Sequence, residues 1–311
     1  MIHLGNYFGS LVNWIRLQSE YDCYFEIADY HALTTYYQHT DELPDYKLEM
    51  ARDWLAAGLS PEKATIFIQS LVPEHAELHV LLSMLVPVPW LERNPTVKEM
   101  IRDMNLQGNV TYGLLGYPVL QAADILIYKA ECVPVGQDQL PHIELAREIA
   151  KRFNHLYGET FPVPEPILSQ HPKVPGIDGR KMSKSLQNAI LIRDTYEDIE
   201  KKVYQAFTDP QKIRLGDPGH PEGCVVFAYH NLVNKDEIGQ IETDCRSGKL
   251  GCVECKKRCA RAIYEFFTPV REKLQNFTPE KTKEILVEGS KRARKVAQAT
   301  LEEVKEKMHL K

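Results

Sequence analysis

The chain has 311 residues, 43% hydrophobic and 26% charged, which excludes a disordered segment, a collagen-like repeat or a small disulfide scaffold and leaves room for about two domains. Its 38 basic and 43 acidic side chains give a net charge of −5, so no global basic field points to nucleic acid, although a local basic patch remains compatible with it. Seven cysteines, five of them (Cys224, Cys245, Cys252, Cys255, Cys259) in the last third, read as a metal site rather than a disulfide framework.

Met1 and Ile2 lead straight into His3-Leu4-Gly5-Asn6, a turn already in progress. Behind it, Leu11, Trp14, Ile15 and Leu17 recur at helical spacing between Ser10 and Glu20. Cys23 to Ala28 reads as a short apolar strand and Leu43 to Leu59 as an amphipathic helix. Thr65 to Ile68 is a buried-type strand, Glu74 to about Leu85 a helix, Val133 to Val135 a brief strand, and Gln137 to Phe153 a long helix. Strands alternating with helices predict an α/β, Rossmann-type parallel-sheet domain over residues 1–187. A Pro- and Gly-rich run at 171–176 reads as a loop before the boundary. From Tyr196 helical patterns dominate, which predicts an α-helical domain over 188–311, its last helix packing back on the first. No apolar run reaches membrane-spanning length and no leader is evident, so a cytoplasmic protein without a membrane partner is expected.

Two segments suit phosphate. His3-Leu4-Gly5-Asn6 precedes a helix, whose N-terminus offers unpaired N–H groups and a positive dipole end. Gly5 permits close backbone approach, and His3 and Asn6 can donate to phosphate oxygens. Lys181-Met182-Ser183-Lys184-Ser185 follows Gly179-Arg180 and puts two lysines and two hydroxyls in five residues. Such a loop can bring cations to a polyphosphate as charge develops on it.

In this order on an α/β domain, the pair resembles the HIGH-type and KMSKS signatures of class I aminoacyl-tRNA synthetases. The second agrees letter for letter; the first ends in Asn, a variant found among tryptophanyl enzymes. The run from Gly113 to Leu126, containing Tyr117-Pro118-Val119-Leu120-Gln121-Ala122-Ala123-Asp124, resembles the helix lining the amino-acid pocket of bacterial tryptophanyl-tRNA synthetases. Val133-Pro134-Val135-Gly136-Gln137-Asp138-Gln139 resembles the same family's VPVGEDQ segment, with Gln137 in place of Glu. Leu91-Glu92-Arg93 and the run Lys291 to Ala297 fit too, so the resemblance runs from residue 3 to the C-terminal end.

The resemblance implies ligation of L-tryptophan to tRNA(Trp) with ATP, through an adenylate. Asp124, a carboxylate in an apolar helix, would accept the indole N–H. Tyr117, Gln121, Val135 and Gln139 would complete the tryptophan site, with Gln139 and Tyr117 near the ammonium. His3, Gly5, Asn6, Gly136, Gln137, Asp138, Val174 and the run Lys181 to Ser185 would hold ATP. His3, Asn6, Lys181 and Lys184 would act on the phosphates, with Mg²⁺ arriving as MgATP. A site built around one hydrogen bond rejects analogues lacking the donor, so no editing domain is needed. The tyrosyl enzyme is the nearest alternative; an inactive tRNA-binding relative and a nucleotidyltransferase are others, and the intact KMSKS loop and pocket helix argue against both.

Cys224, Cys245, Cys252 and Cys255 make C-x20-C-x6-C-x2-C. Four thiolates suit Zn²⁺ or a [4Fe–4S] cluster. The pattern resembles that of an iron–sulfur subset of bacterial tryptophanyl enzymes, which implies the cluster, in the C-terminal domain. Cys259 shares a helical face with Cys252 and Cys255 if that stretch is helical, so it could replace one of them as a ligand or be a buried spare, and the spare is expected; Cys23 and Cys132 are expected in the core. Lys256, Lys257, Arg258 and Arg261, with Lys291, Arg292, Arg294 and Lys295, are candidate tRNA phosphate contacts. The family is dimeric, so a homodimer is implied. Family members also carry a strand and a Pro-Thr/Ser-Gly turn ahead of the HLGN-type motif, so the chain is expected to be shortened at its front and to bind substrates poorly.

Overall fold

Two parallel strand pairs carry the apolar runs of the first half. In the computed structural model, β1 (Cys23–Ile27) pairs with β2 (Ala64–Ile68), Cys23 opposite Ala64 and Ile27 opposite Ile68. β3 (Cys132–Val135) pairs with β4 (Glu165–Leu168). The structure describes residues 1–168, 174–184 and 186–311; residues 171–173 of the expected loop and Ser185 lie outside the described residues. The class is the expected one, small parallel sheets with many helices.

α1 (Leu4–Asn6) runs through a π turn at Tyr7–Leu11 into α2 (Val12–Leu17). The strands are joined by α3 (Asp29–Tyr36), α4 (Leu43–Ala57), α5 (Glu74–Ser83), α6 (Val88–Arg93), α7 (Pro95–Asp103) and α8 (Tyr112–Leu126). A 3-10 turn at Gln137–Gln139 leads into α9 (Leu140–Tyr157), whose Pro141 sits in the first turn, where a missing N–H costs nothing. Beyond residue 190 come α10 (Tyr196–Gln205), α11 (Val225–Val233), α12 (Ile238–Arg246), α13 (Cys252–Leu274) and α14 (Pro279–Lys307).

Packing partitions the chain differently from its composition. One compact unit comprises Met1–Ile15, Arg52–Gly58 and Gln170–Thr278; the other comprises Arg16–Ala51, Leu59–Ser169 and Pro279–Lys311. The division at 187/188 read from the sequence follows the change in residue pattern, whereas these units follow long-range contacts. In the first unit the Leu4 N–H donates to Ile190 O, and His3 bridges Leu191. Tyr7 meets Phe267 of α13 edge-on at 4.8 Å. α10 and α11 both pack on α13.

In the second unit the core is built from β2, α5, α8, α9 and α14. α14 presents Gly289, Ala293 and Ala297, four apart and so on one face, and this stripe lies on β2. The approach is close enough that a Cβ on Gly289 would meet the Ile66 carbonyl oxygen at 1.9 Å. Ser290 then accepts the Ile68 N–H through its hydroxyl, 3.2 Å.

Candidate active site

The first phosphate-type segment is a closed capping box. The Asn6 N–H donates to His3 Nδ1 and the His3 N–H to Asn6 Oδ1, both at 3.2 Å. With Nδ1 accepting, the proton of the neutral ring sits on Nε2, and Asn6 keeps its amide N–H₂ for donation. Burial, helped by the charge of Lys184, pulls His3 down to about 4, so it is a neutral donor at physiological pH.

The KMSKS run belongs to the same compact unit. Met182 is buried, and its sulfur accepts the Gly5 N–H at 3.4 Å. Lys181 and Lys184 are exposed, and Lys184 Nζ donates to Met1 O at 3.1 Å. Asn188 holds the loop: its Oδ1 accepts the Ser183 N–H at 2.7 Å, while its Nδ2 donates to Asp178 and to Lys181 O. Val174 is buried in this unit.

The pocket-type residues fall in the other unit. Asp124 on α8 is buried, and three side chains converge on it. Gln69 Nε2 donates to Oδ1 at 2.7 Å, His75 Nδ1 lies 2.6 Å from the same oxygen, and His31 Nε2 lies 2.6 Å from Oδ2. Burial opposes ionisation of Asp124, but the hydrogen bonds and charge of His31 and His75 prevail and hold its carboxyl well below the usual carboxylate range. His75 Nε2 meets the Tyr128 hydroxyl at 2.6 Å. Of these nitrogen partners Oδ1 has two and Oδ2 one.

Tyr117 lies about two turns earlier on α8, its hydroxyl 2.9 Å from His142 Nε2. Asn94 lies 3.4 Å from His142 Nδ1, which assigns the Nε2 proton to the tyrosine. Burial pushes Tyr117 up to about 12 and His142 down to about 4, so both are neutral. Gln121 and Val135 are half-buried. Gly136, Gln137, Asp138 and Gln139 follow the carboxyl end of β3, the usual ligand edge of a parallel sheet. An open pocket near the start of α8 is lined by Tyr30, Thr34, His79, Tyr112, Gly116 and Tyr117, among others.

Sequence reasoning missed His31, Gln69 and His75. The signal was present: Asp29-Tyr30-His31 and Gln69 directly follow the carboxyl ends of the paired strands β1 and β2, the edge where parallel sheets hold ligands.

The chain matches the tRNA synthetases class I (W and Y) family over residues 1–268. It belongs to that family. Tryptophan–tRNA ligase of Aquifex aeolicus (strain VF5) is 45% identical, covering 99% of this chain and 97% of the relative. The Thermotoga maritima ligase is 47% identical, covering 99% and 96%. Among solved structures, tryptophanyl-tRNA synthetase from Campylobacter jejuni complexed with ADP and tryptophan is 34% identical with a TM-score of 0.88, covering 99% and 96%. A tyrosyl-tRNA synthetase from Archaeoglobus fulgidus, at 20% identity and TM-score 0.68, shares the fold.

In this class I synthetase five of the seven cysteines lie in the first compact unit. Cys224, Cys245, Cys252 and Cys255 line one cavity together with Asp209, Lys212 and His220. Cys224 occupies the N-cap position of α11 and Cys252 opens α13. Burial raises Cys224, Cys245 and Cys255 among the cavity cysteines, Cys255 to about 12, and raises Cys259 as well. Cys259 is fully buried, its Sγ 3.7 Å from Val226 O, and does not line the cavity. Gly219 is where a Cβ would meet the Cys245 sulfur at 2.5 Å, so the loop is cut to pass beside that sulfur.

The candidate tRNA contacts divide. Arg292 donates to Pro61 O and Ala64 O, Arg294 pairs with Glu74, and Lys256 donates to Tyr204 O, so these serve the fold. Lys257, Arg258 and Arg261 are exposed on α13, with Arg258 paired to Glu254.

Proposed function

We propose that the chain ligates L-tryptophan to tRNA(Trp) at the expense of ATP, through a tryptophanyl-adenylate, releasing AMP and pyrophosphate. The observation that carries this reading is identity of 45% and 47% to two tryptophan–tRNA ligases over nearly the full length of both partners.

The tryptophan carboxylate is ionised at neutral pH and attacks the α-phosphate without a general base. Catalysis is therefore positioning and charge stabilisation. Neutral His3, through its Nε2–H, and Asn6, through its amide, donate to phosphate oxygens. Lys181 and Lys184, exposed on a loop whose Met182 is anchored, meet the charge on the departing pyrophosphate. Mg²⁺ enters with ATP and is held by the phosphates. Asp124, fixed by His31, His75 and Gln69, offers Oδ2 to the indole N–H, and Tyr117 and Gln139 serve the ammonium. Gly136, Gln137, Asp138 and Val174 are assigned to ATP. The adenylate then acylates the terminal ribose of the tRNA.

The four cavity cysteines have a donor set suited to a [4Fe–4S] cluster or to Zn²⁺, and the spacing they share with an iron–sulfur subset of the family favours the cluster. When bound it supplies a cross-link between α11, α12 and α13 and no redox step. Exposed Lys257, Arg258 and Arg261, beside it on α13, are assigned to tRNA phosphates. A cytoplasmic homodimer completes the reading; no helix among the described residues is long and apolar enough to cross a membrane.

Pyrophosphate exchange dependent on tryptophan and indifferent to tyrosine is the expected result; preferential response to tyrosine overturns the substrate assignment. Anaerobically purified protein should be brown and contain iron and sulfide; colourless protein with stoichiometric zinc refutes the cluster.

A further inference from the structure

β1 carries an acid facing the Asp124 group. Glu26 Oε2 is buried and makes no hydrogen bond. It lies 3.8 Å from His75 Nδ1. One carboxylate oxygen of Glu26, one ring nitrogen of His31 and one oxygen of Asp124 all lie within 4.8 Å of one another. The His31 and His75 nitrogens nearest Asp124 are committed to it by hydrogen bonds at 2.6 Å, so this is a hydrogen-bonded knot.

Two carboxyl groups this close do not both ionise at neutral pH. Asp124 has three nitrogen donors and keeps the charge. Glu26 has none on Oε2. Burial, then the charge of Asp124 and a side-chain hydrogen bond shared with it, and then the charge of Asp29 push its carboxyl well above the usual carboxylate range. The titratable groups packed around it are Asp29 and His31 from α3, His75 from α5, Asp124 from α8, Tyr128 just past the end of α8, and Tyr24 on its own strand.

We propose that Glu26, as a neutral acid against Asp124, is a positioning residue of the tryptophan pocket, and that its ionisation weakens tryptophan binding. The inference rests on the reading of Asp124 as the acceptor for the indole N–H. An indole entering the pocket removes water from the neighbouring carboxyls, which disfavours a second negative charge. Tryptophan binding is therefore linked to the protonated form of Glu26. Where the free protein has lost that proton and the complex has not, affinity falls by up to tenfold per pH unit.

Tryptophan KM and kcat in pyrophosphate exchange, and tryptophan Kd by calorimetry, would be followed from about pH 6 to about pH 9 in wild type, Glu26→Gln and Asp124→Asn. The wild-type KM should climb on the alkaline side while kcat moves less, and Glu26→Gln, which cannot ionise, should lack that limb. Wild-type protein should also take up a proton on binding tryptophan, seen as heats that differ between buffers of different ionisation enthalpy. This measurement needs no variant to fold. An alkaline limb that persists in Glu26→Gln, or binding without proton uptake, overturns the role of Glu26. Asp124→Asn separates the two readings. If it binds tryptophan like wild type, the pocket assignment and this inference both fall; if it loses tryptophan while Glu26→Gln keeps the limb, only the inference falls.

Discussion

Gly5 donates its backbone N–H to the sulfur of Met182, joining segments 177 residues apart. The lysines flanking Met182 are thereby carried on an anchored loop, while their own side chains stay exposed. The same glycine leaves room for the His3 ring, which a Cβ would meet at 3.0 Å. Gly5→Ala should push the ring out of its capping position and lower tryptophan-dependent pyrophosphate exchange by roughly tenfold to a hundredfold with tryptophan KM little changed. An exchange rate equal to wild type would sink the role of the turn.

Lys184→Ala should reduce the rate of tryptophan activation by about a hundredfold, the usual cost of losing one charge-stabilising donor. Tryptophan affinity, measured by equilibrium titration, should be preserved. Loss of affinity without loss of rate would assign Lys184 elsewhere.

Asp124→Asn turns a charged acceptor into a neutral amide among three nitrogen donors. Tryptophan KM should rise roughly tenfold to a hundredfold, in keeping with about 1.5–3 kcal/mol for a hydrogen bond to a charged group. No activity with tyrosine should appear. Steady-state kinetics with both amino acids decides this.

His142 gives a pH signature of stability. Burial disfavours the imidazolium and pulls His142 from its ordinary value of 6.5 down to about 4. Between those values the unfolded chain binds a proton that the folded chain refuses, so stability is lost as pH falls through that window. The slope from this one group is about 1.4 kcal/mol per pH unit at most. Denaturant titrations of wild type and His142→Gln at both ends of the window should show a smaller acid loss in the variant.

Gly289→Ala should destabilise the protein by about 3 kcal/mol, since the added methyl has a backbone carbonyl in its way rather than a side chain that could turn aside. A thermal melt that matches wild type would mean that α14 can lift from β2 at little cost.

Local patterns were readable where one element carried its own signal. β1, β2 and β3 appear where apolar runs ended at turn residues, and α4 where the segment read as amphipathic. β4 was hidden by Pro166 and by an exposed first residue, which erase the strand pattern. Asp124 stood out as a carboxylate in an apolar helix, but its donors come from residues 31, 69 and 75, and no spacing in the sequence announces that they meet. Glu26 passed as an ordinary polar position in a strand. The compact units were beyond reach for the same reason: the first fifteen residues pack with segments more than 150 positions away. The 3-10 turn ahead of α9 shifts the expected helix start by three residues, because Pro141 tolerates only the first turn.

β2 and α14 lie more than 200 residues apart and complete one core. During synthesis the stripe of Gly289, Ala293 and Ala297 leaves the ribosome long after the strand it covers. Until then β2 has one apolar face waiting. This half of the molecule must therefore close its core late, as a slow, non-local step, and the exposed face is where a holding chaperone would gain most.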